Sequence, residues 1–433
     1  MTSMLNPRRS AVDILLKIEK QDSYSNLVLS SYFKENELKG EDKAFISAIV
    51  YGVLDRKITL DYVLSKHMKT PVKKTAPFTL CVLRTALYQI MFMDKVPESA
   101  AVNEAVKIIK KSRENRNAGF VNAVLRSVLR EKTELPCGNS VKDMSIRYSA
   151  PESIVESFVN DYGCEETEAM LKEFLKPAPV ILRVNTLKTS ADDLAENLRN
   201  TGVETERVSE NALKLIKGMD LSDNRLFKNG FFHIEDLACQ MAIEALKLKK
   251  GERVLDLCAS PGGKSFTMAE IMENEGEIVA CDIYEQRVKL IRDGAERLGI
   301  DIIKPAVNDA TVYNESLGKF DAVLCDVPCS GYGVIKRKPE IKYKQVEDYT
   351  SLENTQFNIL CTALKYLKPD GRLLYSTCTL RHAENEGLVF RVKREYNKLC
   401  VLEEKTFMPH IDNTDGFYYA LLCLENREGN LSE

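Results

Sequence analysis

With 433 residues and 49.0 kDa the chain exceeds what one hydrophobic core ordinarily supports, so two or three domains are expected, and 44% hydrophobic with 29% charged residues is the composition of a soluble globular protein. No apolar run reaches the length of a membrane span, and residues 1–20, MTSMLNPRRSAVDILLKIEK, alternate charge with apolar residues instead of building a signal-peptide core, so a membrane or secreted protein is not expected and a cytoplasmic one is. The net charge of −3 is unevenly divided: residues 1–132 hold 23 Lys+Arg against 14 Asp+Glu, which leaves −12 for the remainder, an arrangement that suits a polyanion held beside a catalytic body and equally suits a solvated helical face.

Residues 5–130 carry apolar side chains at helical spacing, such as Val102, Ala105, Val106 and Ile109, then Phe120, Val121, Val124, Leu125 and Val128, and predict an all-α bundle. Pro and Gly break the pattern at TELPCGNS (133–140), a linker, so the first domain is set at 1–135. Two helical stretches follow, PESIVESFVNDYG and EETEAMLKEFLK. Then PVILRVNT, SADDLAENLRNTG, ALKLIKG and GFFHIED alternate β-branched runs with one amphipathic helix, predicting a small α+β module near 177–235 within a second domain at 145–235. Its Arg183, Lys188, Arg199 and Arg207 suit nucleic-acid contact or plain surface charge. From 236 to 433, continuous apolar runs (RVLDLC, EIVACDI, FDAVLCDVP, GRLLYSTC) alternate with amphipathic helices. That predicts a Rossmann-like, doubly wound parallel α/β sheet covered on both faces, with ligands beyond the carboxyl ends of its strands.

The twelve cysteines are scattered singly, several inside apolar runs, and read mostly as small buried hydrophobes in a reducing compartment; Cys325 in AVLCD is one of these. No Cys/His spacing indicates a metal. HIE (233–235) imitates the H-x-E of zinc deaminases, but Tyr332 stands where their second cysteine would follow Cys329.

VLDLCASPGGKS (254–265) reads as a strand, a Gly-rich turn and a helix start, where Gly262 and Gly263 admit a ligand close to free N–H groups. It lacks G-x-G-x-x-G, and Cys258 replaces the first glycine of a P-loop, which weakens both the dinucleotide and the phosphate readings. S-adenosyl-L-methionine carries no phosphate; Asp256 is placed for its ammonium or carboxylate, Asp282 for its ribose and Asp309 for its adenine amino group. Farther on, Asp326, Pro328 and Cys329 close one strand and Cys378 closes another. If those strands are neighbours, two thiols and a carboxylate share a pocket. Carbon 5 of cytosine is a poor nucleophile until a thiolate adds to carbon 6, and a carboxyl at N3 and the exocyclic amine, Asp326, would hold the base. Lys336, Arg337, Lys338, Lys342 and Lys344 come next and are expected to neutralise phosphates beside an extruded base.

Together CASPGGK, DVPCSG and STC resemble the RNA 5-methylcytosine methyltransferase family over 236–425, and the basic helical segment with FVNAVLRSVLR (120–130) resembles the NusB-like domain of its RsmB (Sun/Fmu) branch. The resemblance implies a NusB-like RNA-binding domain, an RRM- or ferredoxin-like middle module and an S-adenosylmethionine-dependent methyltransferase domain. By it, Cys378 is the nucleophile and Cys329 assists breakdown of the adduct. Cys258, Ala259, Ser260, Pro261, Gly262, Gly263, Lys264, Asp282, Arg287, Asp309 and Asp326 correspond to cofactor-contacting positions. The implied substrate is 16S ribosomal RNA at cytosine 967, acted on by a monomer without metal or membrane. Ser260 and Tyr332 depart from the family's usual residues, and Tyr332 puts the fit of the base in question. An amino-group methyltransferase and a non-enzymatic assembly factor are the competing readings.

Overall fold

The computed structural model describes residues 6–21, 24–36, 38–217, 224–344 and 349–425. The chain forms two compact units, Met1–Lys176 with Ile335–Gln345, and Pro177–Val334 with Val346–Glu433.

The first unit is helical. Helices Pro7–Gln21, Ser25–Glu35, Gly40–Asp55, Lys57–His67, Pro77–Phe92, Glu98–Lys110 and Ala118–Arg130 bury one core that includes Ile14, Ile49, Val53, Leu64, Leu87 and Leu125. In Ala118–Arg130 the three-four spacing of Val121, Val124, Leu125 and Val128 faces inward, while Arg126 and Arg130 are exposed. Arg84 is buried among these helices and pairs bidentately with Asp61 at 2.7 Å and with Glu19 at 2.6 Å. Helices Val141–Tyr148, Glu152–Tyr162 and Cys164–Phe174 belong to this unit as well. Thr59 Oγ1 donates to the Ile146 carbonyl at 2.6 Å, and Ser149 Oγ accepts from the Ile58 N–H at 2.9 Å.

A segment from far along the sequence completes the helical unit. Glu340 accepts from the Ser25 N–H and hydroxyl, both at 2.9 Å, Tyr343 donates to the Leu54 carbonyl at 2.9 Å, and Lys342 donates to the Asp55 carbonyl at 2.8 Å.

The second unit contains two sheets. The smaller orders β1 (Ile181–Val184), β2 (Thr205–Ser209), β3 (Ala212–Leu215) and β4 (Phe232–Ile234) as β2-β3-β1-β4, every neighbour antiparallel. Helix Ala191–Asn200, capped by the Ser190 hydroxyl, packs Leu194 and Leu198 against Leu182, Leu213 and Phe232.

The larger sheet contains β5 (Arg253–Asp256), β6 (Glu277–Asp282), β7 (Ile303–Val307), β8 (Phe320–Asp326), β9 (Leu367–Thr377), β10 (Leu399–Phe407) and β11 (Phe417–Leu424). Among the described residues its order is β10-β11-β9-β8-β5-β6-β7. Strands β9 to β7 are parallel, whereas β11 and β10 run antiparallel at one edge, so the sheet is mixed where a wholly parallel one was expected. A short return through Pro409–Asp412 joins β10 to β11 and leaves no room for the crossover that a parallel pair requires. Successive residues of the central strands serve opposite faces. Val254, Ala280, Leu324 and Leu374 meet helices Leu237–Glu244, Gly263–Ile271 and Glu285–Leu298. Leu255, Cys281, Cys325 and Tyr375 meet helices Tyr349–Leu364 and Glu386–Glu395, which makes Cys325 a core residue. Each such Leu or Val contributes about 1.5–3 kcal/mol by burial. This packing fixes the strand ends from which the polar motifs project.

Candidate active site

At the end of β5 the chain turns through 257–262 into helix Gly263–Ile271. Gly262 has φ +114, and a Cβ there would lie 2.3 Å from the Phe266 ring, so only glycine brings the backbone round this closely. The turn is tied to the sheet by Leu257 N–H to the Leu324 carbonyl at 3.0 Å and by Ala259 N–H to the Cys281 carbonyl at 2.8 Å. Ser260 Oγ reaches the Arg287 carbonyl at 3.5 Å, Cys258 is partly buried, and Pro261 precedes the glycine.

Acids stand at the carboxyl ends of the neighbouring strands. Asp256 is wholly buried and accepts from Ser265 Oγ at 2.6 Å through Oδ2, while its Oδ1 has no partner among the described residues. Burial, reinforced by repulsion from Asp326 and opposed by the Ser265 hydrogen bond, pushes its carboxyl up to about 7. Asp282 is buried beside Arg287, 3.8 Å away, and accepts from the Tyr284 N–H at 3.1 Å. Asp309 lies two residues beyond β7, exposed, with Oδ1 taken up by the Thr311 hydroxyl at 2.7 Å and N–H at 2.9 Å. A groove of about 610 Å³ lined by Ile283, Val307, Asn308, Asp309 and Val312 opens beside it. Ile283, Val307 and Val312 are exposed apolar side chains at a place where a flat aromatic ligand would cover them.

β8 and β9 are neighbours in register, Asp326 opposite Ser376. Asp326 accepts from Ser376 Oγ at 2.9 Å and from Lys264 Nζ at 2.7 Å, so the Gly-rich turn and the ends of β8 and β9 meet at one carboxylate. Burial alone would lower the Lys264 ammonium, but Asp326, Cys239 and Glu235 outweigh it and hold it well above its ordinary value. Just beyond, the sulfurs of Cys329 and Cys378 are 3.1 Å apart. The hydrogen bond to Cys378, then burial, pushes the Cys329 thiol up.

The loop carrying Cys329 is held from several directions. Glu384, fully buried, accepts from the Ser330 N–H and from Gln356 Nε2, both at 2.9 Å, and Gln356 also donates to the Pro328 carbonyl at 3.0 Å. Ser330 Oγ meets Thr379 Oγ1 at 2.7 Å, and the Gly333 N–H donates to the Cys378 carbonyl at 2.9 Å. Tyr332 is buried, its hydroxyl bonded to that of Tyr349, and serves as a prop of this loop.

The family description "16S rRNA methyltransferase RsmB/F" matches residues 243–423, "NusB family" matches 5–130, and "Methyltr_RsmF/B-like, ferredoxin-like domain" matches 150–222. A Bacillus subtilis (strain 168) protein named "Probable ribosomal RNA small subunit methyltransferase B" is 36% identical over 98% of this chain and 99% of its own. The chain belongs to the RsmB/F family of 16S rRNA methyltransferases. The solved structure of PH0851 has 26% identity and a TM-score of 0.83, covering 98% of this chain and 100% of its own. NSun6 from Pyrococcus horikoshii, solved with SFG, shares the fold at 23% identity and a TM-score of 0.59 over 63% of this chain and 97% of its own.

In this RsmB/F member several charged residues lie where sequence reasoning did not put them. Lys336 and Lys342 do not face solvent: their side chains are 6% and 2% exposed, and they pair with Glu173 at 2.7 Å and Asp55 at 3.3 Å, so their charge is already neutralised within the helical unit. Lys338 and Lys344 lie over the Tyr24 ring. Arg183 is not a surface residue either; it is buried against Glu270 at 2.9 Å. Gln356 went unnoticed in the sequence, Glu235 was noticed only as the end of a deaminase-like HIE and Glu384 only as the start of a helix, since nothing in a pattern links Ser330 to a glutamate 54 residues away. Among the described residues no group of His, Cys, Asp and Glu is arranged to hold a metal ion, and no helix is long and apolar enough to cross a membrane.

Proposed function

We propose that this chain methylates carbon 5 of a cytosine in 16S ribosomal RNA, cytosine 967 by family likeness, through a covalent bond between Cys378 and carbon 6. The observation that carries the reading is the pair of sulfurs 3.1 Å apart beside a carboxylate that Lys264 of the Gly-rich turn holds at 2.7 Å.

S-adenosyl-L-methionine, when bound, supplies an electrophilic methyl group. The residues present suit it: the Gly262-Gly263 turn admits a ligand to the backbone, the unpartnered buried Oδ1 of Asp256 awaits a donor, and Asp282 with the groove at Ile283 and Asp309 suits a ribose and a flat base. Cys258, Ala259, Ser260, Pro261, Lys264 and Arg287 complete that set.

By the family resemblance Cys378 is the nucleophile: its thiol proton leaves to solvent, and the thiolate adds to carbon 6 and makes carbon 5 nucleophilic. Asp326, fixed by Lys264 and Ser376, accepts from the exocyclic amine of the base and from N3 once N3 has taken up a proton. Once carbon 5 carries the methyl group, its C–H electron pair forms the ring double bond as the bond from carbon 6 to Cys378 breaks, Cys329 giving its proton to the departing sulfur. The Cys329 thiolate so formed takes the proton from carbon 5, both thiols are restored, and the ring double bond reforms. The basic helical region, 1–135, holds the RNA, the module at 145–235 follows it, and 236–433 performs the transfer in a cytoplasmic monomer.

Incubation with labelled S-adenosyl-L-methionine and 16S RNA, followed by nucleoside separation, is expected to yield 5-methylcytosine. Cys329→Ala should accumulate a protein–RNA adduct on denaturing gels, and Cys378→Ala should form none. Methylation at full rate by Cys378→Ala would remove the covalent step, and N4-methylcytosine as product would make this an amino-group methyltransferase.

A further inference from the structure

A line of buried charges runs through the second unit from the small sheet to Asp326. Arg183 on β1 pairs with Glu270 at 2.9 Å; Glu270 lies 3.5 Å from His233 Nδ1, and His233 Nε2, on β4, lies 3.8 Å from Glu235. Glu235 directly follows β4 and is 7% exposed. Its backbone is pinned by its N–H to the Ile181 carbonyl at 3.2 Å and by Gln240 Nε2 to its carbonyl at 3.0 Å. One side-chain oxygen accepts from Thr267 Oγ1 at 2.5 Å. The other lies 3.1 Å from where a Cβ on Gly263 would be, so a side chain there would crowd the carboxylate. The next residue is Lys264, whose ammonium bonds Asp326 at 2.7 Å and faces the Phe417 ring.

We infer that Glu235 is a positioning residue for the transfer reaction: held by Thr267 and the small sheet, it acts as the second counter-charge of Lys264 and thereby fixes where Lys264 presents Asp326 to the base. Burial alone would raise the Glu235 carboxyl, but His233 first, then Lys264 and the Thr267 hydroxyl, outweigh it and hold it below its ordinary value, and one of its oxygens is turned to the Gly-rich turn that carries Lys264. On this account the small sheet is a structural wall of the catalytic centre. The inference rests on the methyltransferase reading for its catalytic part and, for the coupling, on the placement of Glu235 against the Gly-rich turn that carries Lys264.

A double-mutant cycle tests it in the full-length protein, with urea unfolding and methyl transfer as separate readouts. Glu235→Gln, which keeps an acceptor for Thr267, should lower kcat about tenfold with KM for S-adenosyl-L-methionine within about twofold, and Lys264→Met should lower kcat about 100-fold. The double variant should be no slower than Lys264→Met within about twofold, and the urea midpoint shifts of the two single variants should not add. Should Glu235→Gln fail to fold, Thr267→Val loosens the same carboxylate and should give a smaller loss that also vanishes in the Lys264→Met background. Multiplicative losses near 1,000-fold, additive midpoint shifts, or an unchanged kcat in Glu235→Gln would overturn the inference. If the wild-type protein forms no 5-methylcytosine, the proposed function fails while the unfolding cycle still decides the coupling.

Discussion

Replacing Gly333 with alanine is the most direct probe of how the two cysteines are held together. A Cβ on Gly333 would stand 1.9 Å from the Gly416 carbonyl oxygen and 2.8 Å from that of Cys378, where ordinary contact begins at 3.4 Å. Backbone cannot swing aside as a side chain does, so the loop must retreat, and two hydrogen bonds bridge this gap: Gly333 N–H to the Cys378 carbonyl and Gly416 N–H to the Gly333 carbonyl, both 2.9 Å. Overpacking costs about 1–3 kcal/mol and each hydrogen bond lost about 0.5–1.5 kcal/mol, so the variant should lose roughly 2–6 kcal/mol. The same retreat parts Cys329 from Cys378, and a misplacement of about 1 Å at reacting groups is worth roughly 100-fold in rate. Urea unfolding measures the first effect. Single-turnover methyl transfer, at a temperature where the variant is fully folded, measures the second. A Gly333→Ala protein with wild-type midpoint and rate would show that this backbone contact does not set the thiol pair.

Further outcomes follow from the same geometry. Asp256 sits at about 7 against an ordinary 3.8, so between those values the folded protein keeps a proton that the unfolded chain has released. Stability therefore falls as pH rises through that window and the loss is complete above it; Asp256→Asn should gain on wild type by up to roughly 4 kcal/mol between pH about 4 and about 8 in urea titrations, and a constant difference would refute the assignment. Arg183→Met strands Glu270, whose side chain is 0% exposed, and should destabilise by about 3–5 kcal/mol, most of which the added Glu270→Leu should restore; equal stability of the single and double variants would count against a paired buried charge. Because their sulfurs are 3.1 Å apart, Cys329 and Cys378 should be the first thiols to be oxidised together by stoichiometric hydrogen peroxide. Each peroxide takes the two thiol hydrogens and leaves as water, and the product should be a linked peptide pair that dithiothreitol reverses; a sulfinate on one cysteine alone would contradict the proximity.

Much of the large sheet was legible because strands buried on both faces must be apolar throughout, and AVLCD and VLDLC leave little alternative. The convergence of Asp326, Cys329 and Cys378 followed from strand adjacency, which β8 and β9 have. Strand β10 was missed since LCVLEEKTF runs through Glu403, Glu404 and Lys405, tolerable only at a sheet edge where one side meets solvent. Strand β2 escaped for a similar reason, as TERVS is only partly buried. Charge was the least readable property. Lys336, Lys342 and Arg183 look like solvent-facing residues until Glu173, Asp55 and Glu270, all remote in sequence, are brought against them. The close pass of Gly333 and Gly416 is likewise a relation between two turns that no local pattern records.

The docking of 335–344 among the amino-terminal helices has a topological corollary. The backbone leaves one unit for the other after Lys176, again before Ile335, and once more after that segment, so neither unit is an uninterrupted stretch of polypeptide. A shortened protein starting at Pro177 would carry the 335–344 loop without Ser25, Leu54 and Asp55, the hosts of Glu340, Tyr343 and Lys342. Proteolytic dissection or domain grafting in this lineage must therefore treat that loop as cargo of the front half, even though it is encoded in the back.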